Sequence, residues 1–225
     1  MIVNYQLCYA CTEMRVEAPK LRADAARNVT RILDAAYAAT SGAGAAPSME
    51  QVADAAGVGV ATVYRRFPAR ADLMVAVLER RWEETITPAL RRAVEEPDAR
   101  EGMRCALESA VRFVADDRAM LGVAADLGLM SMDFAERFCE PVAEILERGQ
   151  REGVFRPDLV PEDIPRFVSM LFGILGSVDP ESDGWRRYLD LMLDLVTATT
   201  TSVAPATPVR DHRPVLPPSR RERTR

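Results

Sequence analysis

SMEQVADAAGVGVATVYRRFPARADL, from Ser48 to Leu73, is the stretch on which the reading of the whole chain turns. Ser48 followed three residues later by Gln51 has the spacing of a capping box, in which each side chain satisfies an amide left free at a helix N-terminus. Met49, Val52, Ala53 and Ala56 then recur at helical intervals as one apolar stripe, and Gly57 is placed to end the helix. A second helix is predicted to start near Gly59 or Val60. At about 100° per residue, Val60, Val63 and Phe67 share one side, with Tyr64 at its margin, while Ala61, Thr62, Arg65 and Arg66 share the other. Small residues at the start of the exposed face let a helix approach base edges closely. Arginines one turn later offer paired donors to guanine or charge to phosphate.

Upstream, apolar residues at Ala25, Val29, Ile32, Leu33, Ala36 and Tyr37 predict an amphipathic helix over about Arg22 to Thr40, with Arg27 and Arg31 on a different face. The glycines of SGAGAAP end it, and Pro47 precedes the new start at Ser48. Residues 1–20 show no sustained periodicity and are expected to form a loose arm, separated by Pro19. Met14 stands as an alternative start of translation. Downstream, Leu73, Met74, Val77, Leu78 and Trp82 mark the buried stripe of a further helix.

The order of these elements, the tight turn at Ala56 to Gly59, the aromatic pair Tyr64 and Phe67, and Arg70 opening the next helix resemble the DNA-binding domain of TetR-family transcriptional regulators. Ala56, Gly57, Val58, Ala61, Thr62, Val63, Tyr64, Arg66, Phe67 and Arg70 follow the family pattern in order. The resemblance is strongest over Ser48 to Leu73, and the helix from Arg22 agrees with it. It implies phosphate contacts from Ser48, Tyr64 and Arg70 and groove contacts from Ala61, Thr62, Arg65 and Arg66. The helix after Arg70 is implied to transmit the state of a C-terminal domain to the reading head. There are departures. Gly59 stands where the family often has serine, Pro47 replaces a frequent threonine, and the Ala/Gly loop after Thr40 lacks a Phe that the family often carries on its first helix.

Past Pro88 and Pro97 the rhythm stays helical, with helices predicted at about 98–116, 119–130, 135–152, 161–178 and 184–200 and no strand alternation. The fold class is therefore all-α: an N-terminal three-helix helix-turn-helix domain followed by a larger helical ligand-binding and dimerisation domain. The boundaries run as an arm at 1–20, the reading domain at 21–68, a connecting helix at 69–86, the larger domain at 87–202 and a disordered Pro/Arg-rich tail at 203–225. Phe167 to Val178 is apolar nearly all round, so something must cover both of its sides. Phe167, Leu171, Gly173, Ile174, Gly176, Trp185, Tyr188 and Met192 are the residues expected at a homodimer interface, in agreement with the last two helices through which TetR-like proteins pair. Met103, Leu107, Phe113, Met120, Leu127, Met130, Phe134 and Phe138 could line an apolar effector cavity or serve as ordinary core.

Charge is unevenly divided. Residues 21–81 hold eight arginines against six carboxylates, residues 82–202 hold thirteen against twenty-four, and the tail holds six against two. The acidic larger domain is most simply a solvated surface that also avoids nonspecific adhesion to DNA. The one histidine, His212, lies in the tail, which argues against a histidine base and against zinc held by histidines. Cys8 and Cys11 have the spacing of a redox or metal pair without a second pair or a nearby histidine, so neither a metal nor a cofactor is expected. No apolar run approaches the roughly 20 residues that span a bilayer, and the start lacks secretory character, which together predict a cytoplasmic protein without a membrane partner. The partners expected are an operator in double-stranded DNA, a largely apolar small-molecule effector and a second copy of the chain. Two other readings remain: an all-helical enzyme acting on a hydrophobic small molecule, and a helical architectural protein without operator specificity.

Overall fold

The computed structural model describes residues 9–43, 45–129, 132–175 and 183–197, with side chains described from residue 24 onward apart from those of 42–43, 132–135 and 175. The described residues form nine α-helices and no strand: α1 (Tyr9–Ala43), α2 (Met49–Ala56), α3 (Val60–Arg66), α4 (Arg70–Glu95), α5 (Ala99–Asp116), α6 (Arg118–Asp126), α7 (Met132–Arg151), α8 (Ile164–Leu175) and α9 (Trp185–Val196). A 3₁₀ turn, Pro161–Asp163, leads into α8. The chain divides into two compact units inside α4, between Val77 and Leu78.

In the first unit, α1 packs on α2 and α2 on α3. Ile32, Leu33 and Ala36 of α1, the stripe Met49, Val52, Ala53 and Ala56 of α2, Val63 and Phe67, and Leu73, Met74 and Val77 of α4 are all buried. Thr40, buried at the end of α1, donates back to the Ala36 carbonyl at 2.7 Å, so its hydroxyl is satisfied without water. Two expectations need correction. The first helix begins at Tyr9 rather than near Arg22, so 9–20 is not a loose arm; a proline removes one helical hydrogen bond, and here the helix continues through Pro19. The connecting helix does not stop near residue 86 but runs to Glu95, with Pro88 inside it and exposed. The expected tail at 203–225 lies outside the described residues.

The second unit has α5 at its centre, in contact with α7, α8 and α9. Asp98 caps α5 by accepting from the Arg100 and Glu101 amides at 2.9 and 3.2 Å. One face of α5 supplies Met103, Ala106, Leu107, Ala110, Val111, Phe113 and Val114 to the core, and Phe113 meets Trp82 of α4 edge-on with ring centres 5.9 Å apart. At the end of α4, the Arg148 guanidinium donates to the Val94 and Glu96 carbonyls at 2.8 and 2.6 Å. That supplies partners for acceptors that a helix C-terminus leaves without any.

Ion pairs fix how α5 lies along α9. Arg100 meets Asp194, Arg104 meets Asp190, and Glu108 meets Arg186. Exposed pairs of this kind contribute only about 0–1 kcal/mol each. Their value lies in order of sign. Sliding α9 by one turn in one direction brings Arg104 against Arg186, and in the other brings Glu108 against Asp190, so both neighbouring registers carry like-charge opposition.

Candidate nucleic-acid interface

The turn between α2 and α3 has the geometry that the sequence predicts. Ser48 Oγ accepts from the Gln51 amide at 3.2 Å while Gln51 Oε1 accepts from the Ser48 amide at 2.8 Å, completing the capping box. Gly57 ends α2 in the left-handed conformation (φ 61°, ψ 42°), where a Cβ would be strained. Its amide bonds the Asp54 carbonyl at 3.1 Å and the Val58 amide bonds the Ala53 carbonyl at 3.0 Å, the paired bonds of a Schellman end. Arg31 reaches over from α1 to donate to the Gly57 carbonyl at 3.3 Å, which ties the first helix to the turn.

α3 is thereby presented with its apolar side inward. Val63 and Phe67 are buried, while Ala61, Arg65 and Arg66 are exposed and Thr62 is half-buried. The four residues expected to enter a groove thus share one accessible face of a single short helix. Ser48, Tyr64 and Arg70 gather at the N-terminal end of α2. The Arg70 Nη1 lies 3.5 Å from the Ala46 carbonyl, and the Tyr64 hydroxyl lies 3.5 Å from Glu50 Oε1. Glu50 is not among the residues that the sequence singles out. Its place two residues after Ser48 is legible, but only the packing of α3 on α2 brings it to Tyr64.

Gly59 caps α3 at φ −67° with no side-chain hydrogen bond. That backbone suits serine, and a Cβ there would meet only the Thr62 hydroxyl at 3.9 Å. Gly59→Ser should therefore raise the stability of the head by about a few tenths of a kcal/mol, through a hydroxyl able to accept from an amide in the first turn of α3. Thermal melting of the two proteins side by side checks it; an unchanged or lower midpoint would mean that the hydroxyl finds no amide.

The residues expected to line an effector cavity are only partly brought together. Met103 and Leu107 face Leu146, Ile164, Phe167 and Met192 around an enclosed apolar void of about 20 Å³, roughly the room of one water molecule. Phe113, Met120 and Phe138 are buried as core. Leu127 is 38% exposed at the end of α6, where the chain turns through Gly128 at φ 69°, so it faces solvent rather than a cavity. Met130 and the side chain of Phe134 lie outside the described residues.

The expected dimer residues need a similar correction. Leu171, Trp185 and Met192 are buried within their own subunit, because α8 and α9 pack on α5 and on each other. They cannot be offered to a second copy. Tyr188 of α9 and Gly173 of α8 are exposed, Phe167 and Ile174 are half-buried, and Gly176 lies outside the described residues. The exposed apolar residues not foreseen are Met170 of α8 and Leu191 and Leu195 of α9.

Cys105 and Cys139 are free thiols. Burial pushes the Cys139 thiol up to about 11, so it stays protonated and unreactive at neutral pH. Among the described residues, no group of three His, Cys, Asp or Glu side chains could hold a metal ion, and no helix is long and apolar enough to cross a membrane.

An all-helical chain with a capped helix-turn-helix that exposes small residues and arginines on its second helix is a DNA-binding transcriptional regulator. Residues 32–77, which span α2, α3 and the flanking parts of α1 and α4, match the model for the bacterial regulatory proteins of the tetR family. Among solved structures, the chain is similar to a TetR transcription regulatory protein from Mycobacterium vanbaalenii, at 28% identity over 79% of this chain and 99% of the other, with a TM-score of 0.56. The fold is shared with the TetR-family regulator PfmR of Thermus thermophilus, at 23% identity over 73% and 97% of the two chains and a TM-score of 0.59. It is also shared with the ketosteroid transcriptional regulator KstR2 of Mycobacterium tuberculosis, at 18% identity over 75% and 94% and a TM-score of 0.57. No curated protein matches the chain.

Proposed function

We propose that the protein is a cytoplasmic, non-enzymatic repressor that binds a near-palindromic operator as a homodimer and is released from it by a small, largely apolar effector. The observation that carries this reading is the single accessible face of α3, on which Ala61 and Thr62 stand one turn before Arg65 and Arg66. Ala61, Thr62, Arg65 and Arg66 take the groove, and Ser48, Tyr64 and Arg70 hold the phosphates on either side. One copy of so short a helix reads only a few base pairs. Two copies, with half-sites about 10 bp apart or a modest multiple of that, supply the length an operator needs.

The second copy is supported by the apolar exposure of the last two helices. Tyr188, Leu191 and Leu195 follow one another at helical intervals along one side of α9, and Met170 and Gly173 are exposed on α8. An effector is supported by the resemblance, and by an apolar void lined by Leu107 and by Met103 and Met192, the two methionines having flexible thioethers that could yield to a larger guest. The domain limits follow the same reading: a head that ends within α4, and a larger helical unit for pairing and effector.

Footprinting of the purified protein on the DNA upstream of its own gene tests the reading, and absence of any protected segment there and across genomic fragments would sink it. Within it, Arg65 and Arg70 have different tasks. Arg65→Ala should relax base preference at one position of each half-site, at about 1–3 kcal/mol of lost discrimination. Arg70→Ala should weaken binding to operator and scrambled duplex alike and reduce the salt slope by about one per head. Selection from a random duplex pool, followed by salt titration, measures both; identical profiles for the two variants would refute the division.

A further inference from the structure

We propose that Glu50 is a fixed negative charge within the phosphate-gripping end of the head, which holds down its affinity for every duplex by competing with phosphate for Tyr64 and Arg70. The inference rests on the DNA-binding reading and assigns a role to a residue that the reading leaves out.

Glu50 is exposed in the first turn of α2, two residues after the capping Ser48. Its carboxylate takes the Tyr64 hydroxyl at 3.5 Å, near the long limit of a hydrogen bond. Its own backbone amide and the Ser48 hydroxyl hold its ionisation below the ordinary carboxylate range, with smaller contributions from the Tyr64 hydroxyl and the positive charge of Arg70. The carboxylate therefore remains charged across the working pH range. In this way the three groups assigned to phosphate, Ser48, Tyr64 and Arg70, all lie within the field of one carboxylate of the same unit.

A phosphate seated on those groups must take the place of Glu50 at the Tyr64 hydroxyl and come to rest beside a like charge. The weak, long contact to Tyr64 is readily exchanged, whereas the repulsion persists for as long as the phosphate is bound. Because every duplex carries the same phosphates, the penalty is independent of sequence. It lowers nonspecific and specific binding by the same factor and leaves discrimination to the α3 face. A head with only a small excess of arginine over carboxylate makes this single charge a large share of its local field.

The test uses the full-length protein with Glu50→Gln and Glu50→Ala, titrated by fluorescence anisotropy against a selected operator duplex and a scrambled duplex of the same length over a series of salt concentrations. Glutamine keeps an acceptor for Tyr64 and removes the charge; alanine removes both. Both variants should bind both duplexes more tightly, by roughly threefold per head and roughly tenfold for a two-headed protein, with a steeper salt slope and a gain that fades at high salt. Equal affinities for wild type and both variants would overturn the proposal. So would a loss in the alanine variant with none in the glutamine variant, which would make Glu50 a prop for Tyr64 instead. Failure of the wild type to bind either duplex at low salt would overturn the DNA-binding reading and this inference with it. Thermal melting confirms that each variant is folded before its affinity is read.

Discussion

Arg81→Met should lower the stability of the second unit by about 3–5 kcal/mol. The Asp117 carboxylate is wholly buried where α5 passes into α6, and Arg81 of α4 grips it from two sides. Arg81 Nε donates to the two oxygens at 3.1 and 3.3 Å and its Nη2 donates at 2.9 Å. Methionine fills most of the arginine's volume, so little of the loss would come from a cavity. What it leaves behind is a buried carboxylate without the guanidinium that grips it, and a buried charge stripped of its partner costs far more than the intact pair contributes. The remedy follows from the same argument. Adding Asp117→Leu to Arg81→Met should recover most of the stability, since replacing both members by apolar groups of similar size is often close to neutral. Urea unfolding of the wild type, both single variants and the double variant closes the cycle. A loss of less than about 1 kcal/mol in Arg81→Met would show that water reaches Asp117, and the buried-pair argument would fail.

That pair also marks the limit of what the sequence discloses. Asp116 and Asp117 are legible as the end of a helix, and Asp117 does cap α5, its amide bonding the Phe113 carbonyl at 3.0 Å. Which of the two carboxylates turns inward, and that its partner lies 36 residues earlier, depends on the packing of α4 against the α5–α6 corner. Local signals behave differently. The capping box at Ser48, the left-handed Gly57, the buried stripe of α2 and the outward face of α3 each depend on residues within a few positions, and all are legible from spacing alone. The start of α1 escapes a reading that gives Pro19 the weight of a terminator. The dimer residues escape it for a different reason. An apolar residue on an amphipathic helix can face its own core or a partner, and periodicity does not distinguish them. In α9 the ring of Trp185 and the side chain of Met192 go to the core, whereas Leu191 and Leu195, one position or one turn away, do not.

Those two leucines carry the remaining prediction. Leu191 is 47% exposed and Leu195 70% exposed, an open cost for a helix whose other apolar residues are mostly covered. If a second copy covers them, as the proposed function requires, then the pair Leu191→Glu and Leu195→Glu places four carboxylates at a two-fold interface, each near its symmetry mate. Desolvation and repulsion act together there, while the isolated subunit loses nothing from its core and should melt within about 0.5 kcal/mol of the wild type. The consequence at DNA is large. A dimer engages the second half-site at an effective concentration in the millimolar range, so confining each subunit to one half-site should cost roughly 10²–10⁴-fold in operator affinity. Binding to a single isolated half-site should hardly change, which separates lost pairing from a damaged head. Sedimentation equilibrium reads the pairing and anisotropy titration reads the affinity. A variant that still sediments as a dimer and still holds the full operator would move the interface elsewhere on the molecule. A wild-type protein that sediments as a monomer, yet protects two half-sites, would make the DNA itself the agent that brings the copies together.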